Sequence, residues 1–377
     1  MPRPRRQPPR LRVIEDAEAE RRATWLELFF DLVFVVAVAE LAGVLHADPN
    51  WGGAARFVGL SIPVVWVWMN FIFYADQFDT DDVPYRLAVF AGMLASAALA
   101  VSLPAAGTGF VLAYVAVKAI MVALYERARR HADTRLARRF CGWCVVAFGT
   151  SGALWLLSLA FSEPYRQMLW ALGLAVEIGF PAVGPREFSE MPFDVAHIPE
   201  RYGLFTLIVF GESIVVTALG IGSGSSALVA GVAFVVACAL WWLYFDRIED
   251  NVLGGAIRPN LLFIYGHPGL FVALTAVAVG ARFAIEDAGT HALALHERAI
   301  LAGGVAASVV AITLVQAATL RPPPRATQIV RAAATAVSLA LIAVPLPALA
   351  LTAVLATVVV VCAFSRSTPL DVGEAPA

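Results

Sequence analysis

Charge is what this chain of 377 residues most conspicuously has little of: Asp, Glu, Lys and Arg together make up 15% of it, against about 25% in an ordinary soluble domain. Apolar residues fill the space, at 60%. That balance excludes a soluble enzyme, a disordered protein and a nucleic-acid binder, because each needs far more charged surface. Lysine is nearly missing: Lys118 stands alone, and the rest of the 27 basic residues are arginine. Cysteine is scarce too. Cys141, Cys144, Cys238 and Cys362 sit in or beside apolar stretches and form no disulfide framework. Cys141-Gly-Trp-Cys144 has the spacing of a redox pair, but it has no βαβ context and opens an apolar segment, so it reads as helix packing. No EF-hand spacing, metal-ligand motif, nucleophile–base set or cofactor fingerprint occurs, so neither a cofactor nor a metal is expected.

What is present in their place is long apolar runs. A helix needs about 20 mostly apolar residues to cross the hydrocarbon core. Such runs lie near 25–45, 55–75, 87–105, 109–126, 140–161 and 166–184, then near 201–221, 226–246, 263–285, 298–319, 327–345 and 347–364. The fold class expected is therefore all-α, a polytopic membrane protein of about twelve spans. The first run has an arginine-rich leader and an Ala37-Val38-Ala39 like a cleavage site, yet Glu27 and Asp31 interrupt it, so it reads as a retained helix and not a signal peptide. With twelve spans and the N-terminus inside, only Arg56, Arg166, Arg282 and Arg298 fall outside, leaving 22 arginines inside. This asymmetry predicts that both termini are cytoplasmic.

The two groups of six runs share a pattern. Asp31 in the first run is followed by Val-Val four and five residues later, Glu212 in the seventh by Val-Val three and four residues later, and Arg22 and Arg201 precede them. Tyr74, Asp76 and Asp79 near the second run match Tyr244, Asp246 and Glu249 near the eighth. Offsets of 181 and 170 residues suggest two parallel six-helix repeats, 25–184 and 185–364, between a cytoplasmic tail at 1–24 and another at 365–377.

At Glu27-Leu-Phe-Phe-Asp31-Leu-Val-Phe-Val, at His197-Ile-Pro-Glu200-Arg201 through Phe210-Gly211-Glu212-Ser213, and at Trp241-Trp242-Leu-Tyr244-Phe-Asp246, the sequence resembles the bacterial low temperature requirement protein A family. The resemblance covers nearly the whole chain. It implies a polytopic membrane protein and supplies no reaction, substrate or cofactor. The arginine followed by Phe29-Phe30-Asp31 is also distantly similar to the endolysosomal potassium and proton channel family, with Phe30 where that family has serine.

Ionisable side chains inside a bilayer cost roughly 2.5–3.5 kcal/mol each for Asp, Lys or Arg on insertion scales, so those that remain are candidate functional groups. Asp31 and Glu212 lead, as proton- or cation-handling carboxylates. Glu27, one turn before Asp31, shares its face but lies near the headgroups; Glu177 and Lys118 are buried-charge candidates whose proximity the sequence leaves open. Arg201 reads as a headgroup residue and second-rank candidate, Glu200 as a helix-start acid, and His197 as a proton relay. The acids Asp76, Asp79, Asp81 and Asp82, and Asp246, Glu249 and Asp250, read as solvated cytoplasmic clusters, with a divalent-cation site or a cation vestibule as the alternative. Gly211, Gly220, Gly303 and Gly304 read as close-packing positions.

The function expected is an ion- or proton-coupled transporter or channel. The alternatives are a membrane-embedded enzyme acting on lipids, and a scaffold or sensor that moves nothing. The partners expected are the lipid bilayer and a proton or monovalent cation, with no nucleic acid; a homo-oligomer stays open.

Overall fold

The computed structural model describes residues 8–11, 23–185, 191, 194, 197–220, 224–246, 253, 260–289, 291–319 and 323–365. These residues form twelve α-helices. They are α1 Trp25–Ala47, α2 Trp51–Gln77, α3 Val83–Val101, α4 Thr108–Arg130, α5 Arg135–Leu157 and α6 Tyr165–Val183. Then follow α7 His197–Gly220, α8 Gly224–Phe245, α9 Leu261–Glu286, α10 Leu295–Ala317, α11 Arg325–Leu341 and α12 Ala348–Phe364. Two short strands, β1 Arg10–Leu11 and β2 Phe78–Asp79, pair antiparallel with Leu11 opposite Phe78.

Among the described residues, nine helices are long and apolar enough to cross a membrane: α1 to α5 and α7 to α10. Three of the twelve expected spans fall short of that test. Arg166, Gln167 and Glu177 lower the apolarity of α6, and α11 and α12 have 17 residues each, about 26 Å of rise against a hydrocarbon core of about 30 Å. The chain is an integral, multi-pass helical membrane protein.

Helix boundaries follow local chemistry. Thr24 and Glu27 form a capping box at the start of α1, with Glu27 N donating to Thr24 Oγ1 at 3.3 Å and Thr24 N to Glu27 Oε2 at 2.8 Å. Asn50 caps α2, Asp82 caps α3 and Thr134 caps α5. The third helix starts four residues before the run read from hydropathy, because Asp82 and Pro84 supply a cap and a first-turn proline ahead of the apolar stretch.

The sidedness of α1 is that of a bilayer protein. Phe29, Leu32, Val35 and Val36 are exposed, while Glu27, Phe30, Asp31 and Phe34 are buried. In water the polar face would turn outward; in lipid the acids must turn into the protein, where partners exist.

The chain forms two compact units. One comprises residues 1–212 and 252–268, and the other residues 213–251 and 269–377. The second is held by close helix approach and by buried polar staples. A Cβ on Gly280 would lie 2.5 Å from Leu301 Cα, and one on Gly304 2.9 Å from Val277 N, so α9 and α10 meet almost backbone to backbone. Gly303 and Gly211 have no such neighbour, so of the glycines read as packing positions Gly304 is the one in tight contact, and the surroundings of Gly220 lie outside the described residues. Arg298 donates to the carbonyls of Leu293 and Ile342, and Arg331 donates to Gln316 Oε1 at 2.7 Å.

Candidate functional site

Within the first unit, Glu27, Asp31, Asp76, His197 and Arg201, five of the ionisable residues singled out above, lie together in one cluster. Glu27 and Asp31 lie one turn apart on α1, and Arg201 reaches them from the first turns of α7. Arg201 Nη2 donates to Asp31 Oδ1 at 2.5 Å and to the Glu27 carbonyl at 3.3 Å, while Nη1 lies 3.5 Å from Glu27 Oε2. Asp31 and Arg201 are each 2% exposed. Trp68 of α2 completes the setting: its Nε1 donates to the same Asp31 Oδ1 at 2.9 Å, and its ring packs on Phe205 and Tyr202 of α7. Asp31 Oδ2 accepts no hydrogen bond from any described residue.

His197 extends this group to the end of α2. Its Nε2 lies 3.5 Å from Glu27 Oε2 and its Nδ1 lies 3.4 Å from Asp76 Oδ1. The imidazole, fully buried, thus stands between two carboxylates, one on each ring nitrogen. Asp194 holds the helix start, accepting from His197 N at 2.9 Å, and its own N–H points at Asp76 Oδ2 at 3.5 Å. The result is a run of alternating acid and base, Asp31–Arg201–Glu27–His197–Asp76, drawn from α1, α2 and α7. Beside it, a cavity of about 20 Å³ is lined by Glu27, Arg201, Phe30 and Tyr85, enough for a single water between two polar partners.

Lys118 and Glu177, whose proximity the sequence left open, form a second cluster. Lys118 Nζ lies 2.6 Å from Glu177 Oε2, with both side chains 1% exposed or less. Tyr114 OH donates to Glu177 Oε1 at 3.1 Å and Asn70 Nδ2 reaches Oε2 at 3.4 Å. The ammonium also sits over the Tyr114 ring, 4.4 Å from its centre, a contact that strengthens when desolvated.

Several placements differ from those expected. Asp76 is buried at 3% exposure against His197 and not part of a solvated acidic loop. Asp82, the last acid of that stretch, is also buried: it caps α3 through Tyr85 N and pairs with Arg127 at 2.5 Å. Glu27 and Arg201 turn into the protein and away from headgroups, since each finds an opposite charge inside. Glu200 accepts from Ala23 N at 3.2 Å. Glu212 is half-buried, eleven residues and about 16 Å of rise beyond Arg201, so it stands apart from Asp31's cluster. Asp246 is exposed; the side chain of Asp79 and all of Glu249 and Asp250 lie outside the described residues. Cys141 and Cys144 are buried free thiols, and no group of three or more His, Cys, Asp or Glu able to hold a metal occurs among the described residues.

Trp68, Asn70 and Tyr114 belong to the two clusters without standing out in the sequence. Their signal was weak: Asn70 is a polar amide in an otherwise apolar run, but Trp and Tyr are ordinary occupants of membrane helices.

The family described as bacterial low temperature requirement A protein matches residues 22–364, which includes both clusters. An uncharacterized protein of Rhizobium meliloti (strain 1021) is 31% identical over 310 residues, covering 74% of each chain.

Proposed function

The chain belongs to the bacterial low temperature requirement A family, and on that premise we propose that it is an ion- or proton-coupled transporter or channel of the bacterial inner membrane, with buried carboxylates handling the proton or cation. One observation carries the reading: His197 faces Glu27 with one ring nitrogen and Asp76 with the other, at 3.5 and 3.4 Å. A neutral imidazole holds a proton on one nitrogen and accepts on the other. It can therefore take a proton from Asp76 at Nδ1 and release one from Nε2 to Glu27. Arg201 keeps its charge throughout and does not carry the proton. Placed 2.5 Å from Asp31 and 3.5 Å from Glu27, it responds to whichever acid is ionised. Protonation of Asp31 weakens its shorter pairing and favours Glu27; Asp31 Oδ2, without a hydrogen bond from any described residue, is where that proton sits.

Asp31 is six residues beyond the start of α1, about 9 Å of rise. The positive-inside bias puts this end of α1, α2 and α7 on the cytoplasmic side. The relay then forms the inner part of a path, and Glu212, farther along α7, marks its continuation. In this reading α6, α11 and α12 also span, completing twelve helices and two parallel repeats.

The test is proton and potassium flux in proteoliposomes, with Asp31→Asn and Glu27→Gln beside the parent chain. Loss of flux in variants that keep the parent's thermal unfolding supports the relay, and full flux in both removes it. A non-transporting scaffold has its own support, since Asp31 ties α1 to both α2 and α7. It predicts that the parent carries no flux.

A further inference from the structure

The opposite face of α2 carries a different chemistry. Trp66, Asn70, Phe73 and Gln77 recur at intervals of four, three and four residues, one stripe of a helix, and all four line a cavity of about 60 Å³ in the first unit. The stripe is about 16 Å long, from mid-helix to the end of α2. The other walls come chiefly from α5 and α6, through Phe140, Ala147, Phe148 and Phe180, and Glu177 is also part of the lining.

Three observations decide what such a slot can take. Glu177 is already matched by Lys118 at 2.6 Å. Wherever the proton of that pair resides, the pair has no net charge, so a cation or an anion entering the slot would be desolvated without a counter-charge. The remaining polar groups are neutral: the Asn70 and Gln77 amides, the Tyr125 hydroxyl that meets Gln77 Oε1 at 3.5 Å, and the Trp66 indole. The indole Nε1, a donor only, is buried and has no acceptor among the described residues. At roughly 15 Å³ for each water-sized group, the cavity holds about three or four heavy atoms, and it is only partly enclosed.

We propose that this slot binds a small neutral, lipid-soluble molecule whose oxygen acceptor, a ketone, ester or alcohol group, enters among Trp66, Asn70 and Gln77 while its apolar body lies along the phenylalanine walls. The proposal does not depend on the transport reading, which concerns the other face of α2.

Acetophenone suits the test, since its acetyl group has three heavy atoms and the aryl ketone labels neighbouring C–H bonds under light. The full chain in nanodiscs would be irradiated with it and the adducts mapped by peptide mass spectrometry. The expected result is saturable labelling of α2, α5 and α6 around the slot. It should fall about fivefold in Trp66→Phe, the effect of one lost neutral hydrogen bond, and similarly in Ala147→Leu, which fills the space. Benzylammonium and benzoate at the same concentration should leave it unchanged. Labelling spread evenly over lipid-facing helices, or undiminished in Trp66→Phe, overturns the proposal. So does competition by benzylammonium, which would make Glu177 a cation seat. Trp66→Phe retains a packing ring, so the test stands even if Ala147→Leu does not fold.

Discussion

Arg201 Nη2 lies 2.5 Å from Asp31 Oδ1 across 170 residues of sequence, and both side chains are 2% exposed. Arg201 is the positive charge that pairs with Asp31 among the described residues, whereas Arg201 also has Glu27 at 3.5 Å. A buried pair whose partner is deleted leaves an uncompensated charge, costing about 3–5 kcal/mol, whereas replacing both members by apolar residues of similar size is often neutral or stabilising. Arg201→Met should therefore lower stability by about 3–5 kcal/mol in detergent unfolding, and Arg201→Met with Asp31→Leu should recover most of it. Equal losses in the single and double variants would show that the pair is not the source.

The same logic separates the second cluster from the first. Lys118→Met should be strongly destabilising, because Glu177 would keep only Tyr114 and Asn70 as partners. Lys118→Met with Glu177→Gln should be much milder, since the amide retains partners for both neighbours. Thermal unfolding of the two variants measures the difference. Flux is expected to survive in the double variant, since the relay through His197 lies on other residues.

His197→Gln offers a direct check of proton passage. A glutamine amide keeps a donor and an acceptor near Glu27 and Asp76 but exchanges no proton at neutral pH. Proton flux, read with a pH-sensitive dye inside proteoliposomes, should drop at least tenfold, on the order of a lost acid–base group. Unfolding should change little. Unchanged flux would move the route away from the imidazole.

Glycine positions predict opposite outcomes. Gly280→Ala brings a Cβ within 2.5 Å of Leu301 Cα and should cost about 1–3 kcal/mol through overpacking. A Cβ on Gly211 would meet nothing within 4 Å, so Gly211→Ala should be neutral or gain up to about 1 kcal/mol of helix propensity. Paired unfolding curves decide both.

Much of the architecture was legible because lipid imposes a length and a polarity on each segment. The run read as 25–45 is α1 at Trp25–Ala47, and that read as 347–364 is α12 at Ala348–Phe364. The cost of a buried charge was also legible in one dimension, and it singled out Asp31, Glu27, Glu177 and Lys118. Asp76 shows where such reading ends. At a helix end beside other acids it looks solvated, and only the approach of α7 buries it against His197. Asn70 carried too little signal to be separated from the helix around it.

Composition and hydropathy by themselves determined that this is a multi-pass helical membrane protein, and which of its ionisable residues are too expensive to be incidental. Partnership was decided only in three dimensions. Asp31 with Arg201, His197 with both Glu27 and Asp76, and Lys118 with Glu177 join different helices. A helix's own pattern tells which way a carboxylate must turn, inward from lipid, but the charge that meets it comes from whichever helix packs alongside.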